Sequence, residues 1–209
     1  MNAINYQRRL DKLTDELVKE NIRPRLLLHS CCAVCSSYCL VYLSVFFDIS
    51  ILYYNPNIFP KEEYLKRLSE VRRLLGIYRD ERDLDIELIE AEYDHSVFKS
   101  FTEGLEDLPE NSERCHKCYE LRLREAAKYA KEGGYDYFAS TLSISPYKKS
   151  RIINEIGERI AKEVGVRHLP NDFKKNGGYD MARELAERYE LYRQNYCGCE
   201  FSMPHSLGT

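Results

Sequence analysis

The cysteines carry the chemistry of this sequence. Eight occur in 209 residues, in three groups: Cys31, Cys32, Cys35 and Cys39; Cys115 and Cys118; Cys197 and Cys199. Cys32-Ala-Val-Cys35 and Cys115-His-Lys-Cys118 share a two-residue gap, which lets one turn of chain aim two sulfurs at a common centre. Thiolates are soft ligands that select zinc, copper(I) and iron–sulfur clusters. Two such pairs, an adjacent Cys-Cys and a terminal Cys-Gly-Cys read as a metal-binding set rather than as small buried apolar residues. Structural zinc needs four ligands, often on one small knuckle. Here the groups are far apart in the chain, which favours a site built for chemistry. A four-iron cluster takes four thiolates. The set exceeds that number, so either two sites exist or some thiols serve as redox or catalytic groups. Cys39 lies one helical turn past Cys35 in an apolar segment and reads as core. His29 and His116 flank the thiols and read as hydrogen-bonding side chains. His95, His168 and His205 have no supporting context.

The elements that must position these thiols alternate between strand and helix. RLLLHS (25–30) and ISILYYNP (49–56) are unbroken apolar runs, as expected of strands covered on both faces. DIELIEAEY (85–93), YDYFASTLS (135–143) and the short VRHLP (166–170) are further strand candidates. Helical spacing marks the N-terminal segment, 36–46, 61–81, 112–134, 150–164 and 179–194. Ser112 is a candidate cap and Gly133-Gly134 a stop. Residues 95–112, broken by Gly104, Pro109 and Asn111, read as an irregular insert. The pattern predicts one α/β domain over 1–209, Rossmann-like in three layers, with a mostly parallel sheet of about five strands. Ligands in such folds bind beyond the carboxyl ends of the strands. The loop after the first strand carries Cys31, Cys32 and Cys35 in place of phosphate-cradling glycines, and a helix N-terminus there lowers thiol pKa values.

Two segments are dense in hydroxyls and cations. STLSISPYKKSRIINEIG (140–157) brings Ser143, Ser145, Lys148, Lys149 and Arg151 to a helix start, which suits phosphate or sugar contacts. In 172–202, Lys174 and Lys175 precede a Gly-Gly turn, and Tyr189, Tyr192, Arg193 and Tyr196 follow. Aromatics among cations can stack unpaired bases, although tyrosine at helical spacing also packs cores. The helix through 194 is expected to run straight into Cys197-Gly198-Cys199. The net charge is −3 and the pI about 6.0, so nucleic-acid binding must come from a local patch and not from bulk charge. The most apolar run, LVYLSVFF, is too short to cross a bilayer about 30 Å thick. With no secretory leader visible, the chain reads as cytoplasmic with no membrane partner, a reducing setting in which metal binding outranks disulfides.

HSCCAVCSSY, RCHKCYELRL, STLSISPYKK and LYRQNYCGCEFS together resemble the QueH family of epoxyqueuosine reductases, from about residue 24 to 202. The resemblance implies a fold similar to the adenine nucleotide α-hydrolases. It implies cobalamin-independent removal of the epoxide oxygen from epoxyqueuosine in tRNA, giving queuosine, the last step of queuosine formation. It also implies a 4Fe–4S cluster with an additional mononuclear iron. Carried over by position, the metal candidates are Cys31, Cys32, Cys35, Cys115, Cys118, Cys197 and Cys199. A carboxylate could complete one site, and Asp15, Asp94 and Asp180 are the candidates, with no position carried over for them. Tyr119, Tyr147, Tyr196 and His29 are candidate proton donors. Lys148, Lys149, Arg151, Lys174 and Lys175 would hold anticodon-loop phosphates, with Ser143, Ser145 and Arg193 also on the substrate. A ferredoxin or flavodoxin would supply low-potential electrons.

Three other readings are weighed against this one. A tRNA sulfurtransferase or other ATP-pyrophosphatase of similar fold wants an S-G-G-x-D-S loop, and His29-Ser30-Cys31-Cys32-Ala33 has neither the glycines nor the aspartate. A non-enzymatic zinc-bound RNA-binding module would be colourless. A thiol–disulfide oxidoreductase would keep its activity without metal.

Overall fold

Leu26, Leu27 and Leu28 are all fully buried, so β1 (Arg25–His29) is an unbroken apolar strand at the centre of a sheet. The computed structural model of the protein describes residues 4–203; His205 lies outside them. β1 pairs in parallel with β2 (Asp48–Tyr53) on one side, Leu28 opposite Ile51, and with β4 (Tyr137–Ser140) on the other, Leu28 opposite Ala139. β3 (Glu87–Glu90) and the two-residue β5 (Arg167–His168) form the edges, also parallel, giving the order β3-β2-β1-β4-β5.

Alternate side chains of each strand serve opposite cores. Leu26, Leu28, Ile51 and Tyr53 pack beneath α2 (Ala33–Leu43), α3 (Lys61–Arg82) and α7 (Gly178–Arg188). Leu27, Leu52 and Phe138 pack beneath α5 (Glu113–Glu132) and α6 (Ser150–Val164). α1 (Tyr6–Glu20) adds Leu10 and Leu17 to the first core. The result is the expected three-layer α/β/α arrangement. The strand order reverses at β1, between β2 and β4, and in such sheets a crevice opens at that point beyond the strand ends. The loop leaving β1 is the thiol-rich one.

Three local expectations need correction. α2 begins at Ala33 rather than at Ser36, because the Cys32 sulfur accepts the Cys35 N–H at 3.4 Å and caps the helix. The insert at 95–112 contains a short helix, α4 (His95–Phe101), capped by Asp94, which accepts from Ser96 N at 2.9 Å. The remainder of that insert is held by Arg114, which donates to the carbonyls of Leu105, Glu106 and Leu108. Finally, α7 stops at Arg188 instead of running to 194. Glu190 takes a left-handed φ of 49°, Leu191 turns inward to the core, and Leu191 N returns to Ala186 O at 2.9 Å.

Candidate metal centre

Cys31, Cys32 and Cys35 place their sulfurs within 4.8 Å of one another. They sit where β1 ends and α2 begins, at the positive end of an eleven-residue helix. Hydrogen bonds from the Cys32 and Cys35 thiols hold the Cys31 pKa well below the usual thiol value. The same bonds push Cys32 up to about 12 and Cys35 well above its ordinary value. A metal ion bound here would displace the thiol protons and gather three thiolates. Gln194 Nε2 donates to the Cys32 sulfur at 3.2 Å, tying the C-terminal tail to the trio. Cys39 is fully buried among the apolar side chains of the core, apart from the trio, and burial raises its pKa.

The second group forms where α5 meets the tail. Cys115 and Cys118 occupy the first turns of α5, and Cys197 and Cys199 lie in the segment after α7. All four line one void of about 20 Å³. Burial pushes Cys118 up to about 11 and Cys199 up to about 12. Cys197 also lines a larger cleft of about 500 Å³ whose wall includes Cys31 and Cys35. One thiol therefore belongs to both cavities, and seven cysteines from three segments meet at one end of the sheet.

α3 holds the tail in place. Buried Arg67 pairs with Glu63 at 2.7 Å and donates to Cys197 O at 3.1 Å and Tyr196 O at 3.3 Å. Arg73 donates to Tyr189 O and Glu190 O, and Glu70 accepts from Tyr192 N at 2.9 Å. Gly198 O accepts from Phe59 N at 2.8 Å. A Cβ on Gly198 would lie 2.9 Å from Arg67 Nη1 and 3.0 Å from Ile58 Cγ1, at a φ of +110°. The Cys-Gly-Cys turn therefore needs glycine for both space and backbone conformation.

The electrostatics around the thiols call for an anion. Arg122 is 2% exposed and lines both cavities. Its Nη2 is buried without a hydrogen-bond partner, and no carboxylate pairs with it among the described residues. Burial works against its charge, but Cys118, Cys197 and Cys31 outweigh that and raise its pKa. Lys148 behaves in the same way: burial is opposed by Cys197, Tyr119 and Cys31, and its pKa is raised. Soft thiolate donors next to buried Arg122 and half-buried Lys148 suit a negatively charged metal–thiolate group, such as an iron–sulfur cluster.

The other predicted site residues divide by location. Ser145, Tyr147, Lys148, Arg193 and Tyr196 line the larger cleft, and Tyr119 lines the void. Lys149, Arg151 and Lys175 are exposed, with Arg151 near Glu155 at 3.5 Å. Lys174 is turned inward, bonded to Asp172 at 2.6 Å and Ser143 O at 2.9 Å. Ser143 is fully buried and bonded to Asn171 and Phe173 N. His29 is also fully buried. Its Nε2 donates to Tyr54 O at 3.0 Å, so its Nδ1 accepts from Ser140 at 2.8 Å, and burial lowers its pKa to about 4. None of Asp15, Asp94 and Asp180 lines either cavity; the acid that lines both is Glu110. Sequence reading missed Arg122, Glu110 and Gln194. Only Arg122 had a signal: it stands four residues after Cys118, on the same face of α5.

This arrangement coincides with a known family. The family model described as "Epoxyqueuosine reductase QueH" matches residues 26–205, a span that contains all seven converging cysteines. Among curated proteins, the epoxyqueuosine reductase QueH of Staphylococcus epidermidis is 42% identical over 201 residues, covering 95% of this chain and 84% of that protein. The one from Streptococcus pyogenes is 41% identical over 199 residues, covering 95% and 78%. The one from Dehalococcoides mccartyi is 37% identical over 188 residues, covering 88% and 96%. With the match running through β1, the thiol loop, α5 and the Cys-Gly-Cys tail alike, this chain belongs to the QueH family of epoxyqueuosine reductases.

Proposed function

We propose that this chain is a cytoplasmic epoxyqueuosine reductase that converts epoxyqueuosine in tRNA to queuosine, with residues 1–209 acting as one metal-binding reductase domain. The observation that carries this reading is the meeting of seven thiols from three remote segments at the sheet's switch point, with Cys197 shared by both cavities. The overall reaction adds two electrons and two protons to the epoxide. Both C–O bonds break, an alkene forms, and the oxygen leaves as water.

Cys31, Cys32, Cys35, Cys115, Cys118, Cys197 and Cys199 would hold a 4Fe–4S cluster and an additional iron. Bound iron of this kind supplies a Lewis acid for the epoxide oxygen and electrons one at a time. A low-potential ferredoxin or flavodoxin would replenish those electrons. The protein's own groups bind, orient and protonate. The cleft admits the modified nucleoside between Ser145, Tyr147, Arg193 and Tyr196. Exposed Lys149, Arg151 and Lys175 are placed to meet phosphates of the anticodon stem-loop. Lys174 and Ser143 act indirectly, by pinning the chain after β4 to the chain after β5. Tyr119, Tyr147 and Tyr196 stand at the cavities as proton donors; His29, neutral and bonded on both nitrogens, holds the ends of β1, β2 and β4 together. No helix among the described residues is long and apolar enough to cross a membrane.

The test is anaerobic purification and reconstitution, followed by reaction with epoxyqueuosine-bearing tRNA and nucleoside mass spectrometry. Queuosine formation that requires iron and sulfide is the expected result. A protein that holds zinc alone and yields no queuosine after reconstitution would defeat the reading. ATP hydrolysis without deoxygenation would point to the pyrophosphatase class instead.

A further inference from the structure

Arg122 is expensive where it sits. A guanidinium taken out of water costs several kcal/mol unless an anion meets it, and this one is 2% exposed with no carboxylate partner among the described residues. Among the described residues its one side-chain hydrogen bond runs from Nε to Cys118 O at 3.1 Å, the carbonyl one turn back in its own helix. That bond fixes nothing outside α5. Nη2 is buried and unpartnered. The nearby aromatic, Tyr119, has its ring centre 5.9 Å away, at the outer edge of the cation–π range of about 6 Å, and it carries no formal charge to balance the guanidinium. Among the described residues no carboxylate forms an ion pair with this charge; Glu110, which lines the same two cavities, is exposed to solvent.

The position of Arg122 accounts for that charge. Arg122 is the one residue besides Cys197 and Glu110 that lines both the cleft holding Cys31 and Cys35 and the void holding Cys115, Cys118 and Cys199. It stands between the two thiol groups. Protonated thiols leave its charge uncompensated, whereas a metal–thiolate group supplies the missing anion. We propose that Arg122 is a positioning residue that compensates the negative charge of the iron–sulfur group and thereby sets its reduction potential. This rests on the metal reading given above. Reduction takes one electron from the donor and adds one negative charge to the group. A fixed guanidinium beside it favours that more negative state, so the potential rises.

The experiment compares anaerobically reconstituted wild type, Arg122→Lys and Arg122→Met. Iron and sulfide are quantified, the midpoint potential is read by dithionite titration, and the melting temperature of each chelator-stripped chain is measured. Arg122→Met is expected to shift the midpoint to more negative values, with Arg122→Lys lying closer to wild type. The stripped Met variant is expected to melt at or above stripped wild type, because an uncompensated charge has been removed. Loss of iron from folded Arg122→Met, with retention in Arg122→Lys, supports the proposal equally. An unchanged midpoint at full iron content would overturn it. So would a stripped Met variant that melts below stripped wild type or fails to fold, since that marks a scaffold role. Wild type that takes up no iron and sulfide would sink the metal reading itself, a different failure.

Discussion

At the scale of single residues, the thiols are not equivalent. Cys31, Cys32 and Cys35 form a trio on one turn, while Cys115, Cys118 and Cys199 face a separate void, and Cys197 touches both cavities. Removing a ligand from one group should therefore leave the other able to hold part of the metal. We expect Cys35→Ala and Cys118→Ala each to lose a different fraction of the bound iron and sulfide, and Cys197→Ala to lose more than either. Metal analysis of the three anaerobic variants checks this; equal losses in all three would indicate one indivisible site. The types of these residues and their short spacings were readable from the chain. Glu110 was not recognised, because a lone charged residue has no spacing signature, and Arg122, though one turn after Cys118 on α5, gains its value only from what surrounds it in the fold.

At the scale of elements, α3 does more than cover the sheet. It presents Glu63, Arg67, Glu70 and Arg73 to the tail, and through them it fixes the backbone from Tyr189 to Cys197. Arg67 is the centre of this support, buried with Glu63 beneath it. Arg67→Met should leave the Glu63 carboxylate with the Tyr192 hydroxyl but without its guanidinium, and free the Cys197 carbonyl. Breaking a buried pair from one side typically costs about 3–5 kcal/mol. The expected outcome is a loss of that order in denaturant midpoint analysis, together with reduced iron retention. The helical period of α3 was legible in its apolar residues. Periodicity cannot show that another segment will lie on its polar face. The same limit explains why a helix through 194 was expected: the turn at Glu190 depends on Leu191 reaching the core, a contact distant in sequence.

For the molecule as a whole, two buried neutral histidines tie stability to pH. Burial lowers both His29 and His168 to about 4, against about 6.5 when unfolded. Between those values the unfolded chain binds more protons than the folded one, so stability is full above pH 6.5 and falls as pH drops toward 4. Each shift is worth roughly 3 kcal/mol at its full extent. His168 packs against Gly157 and bonds to Asn154 at 3.3 Å, away from the thiols. Urea titrations from pH 7.5 to 4.5 should show a shallower acid decline in His168→Gln than in wild type; parallel declines would remove His168 from the account. By itself the sequence determined the class of fold, through apolar runs doubly covered in a parallel sheet, and the donor inventory, through cysteine types at ligand spacing. Only the tertiary structure decided which thiols share a cavity, that Lys174 and Ser143 turn inward, and that a guanidinium stands between the two sulfur groups. Local periodicity and spacing are written along the chain, whereas these placements follow from contacts between segments tens of residues apart.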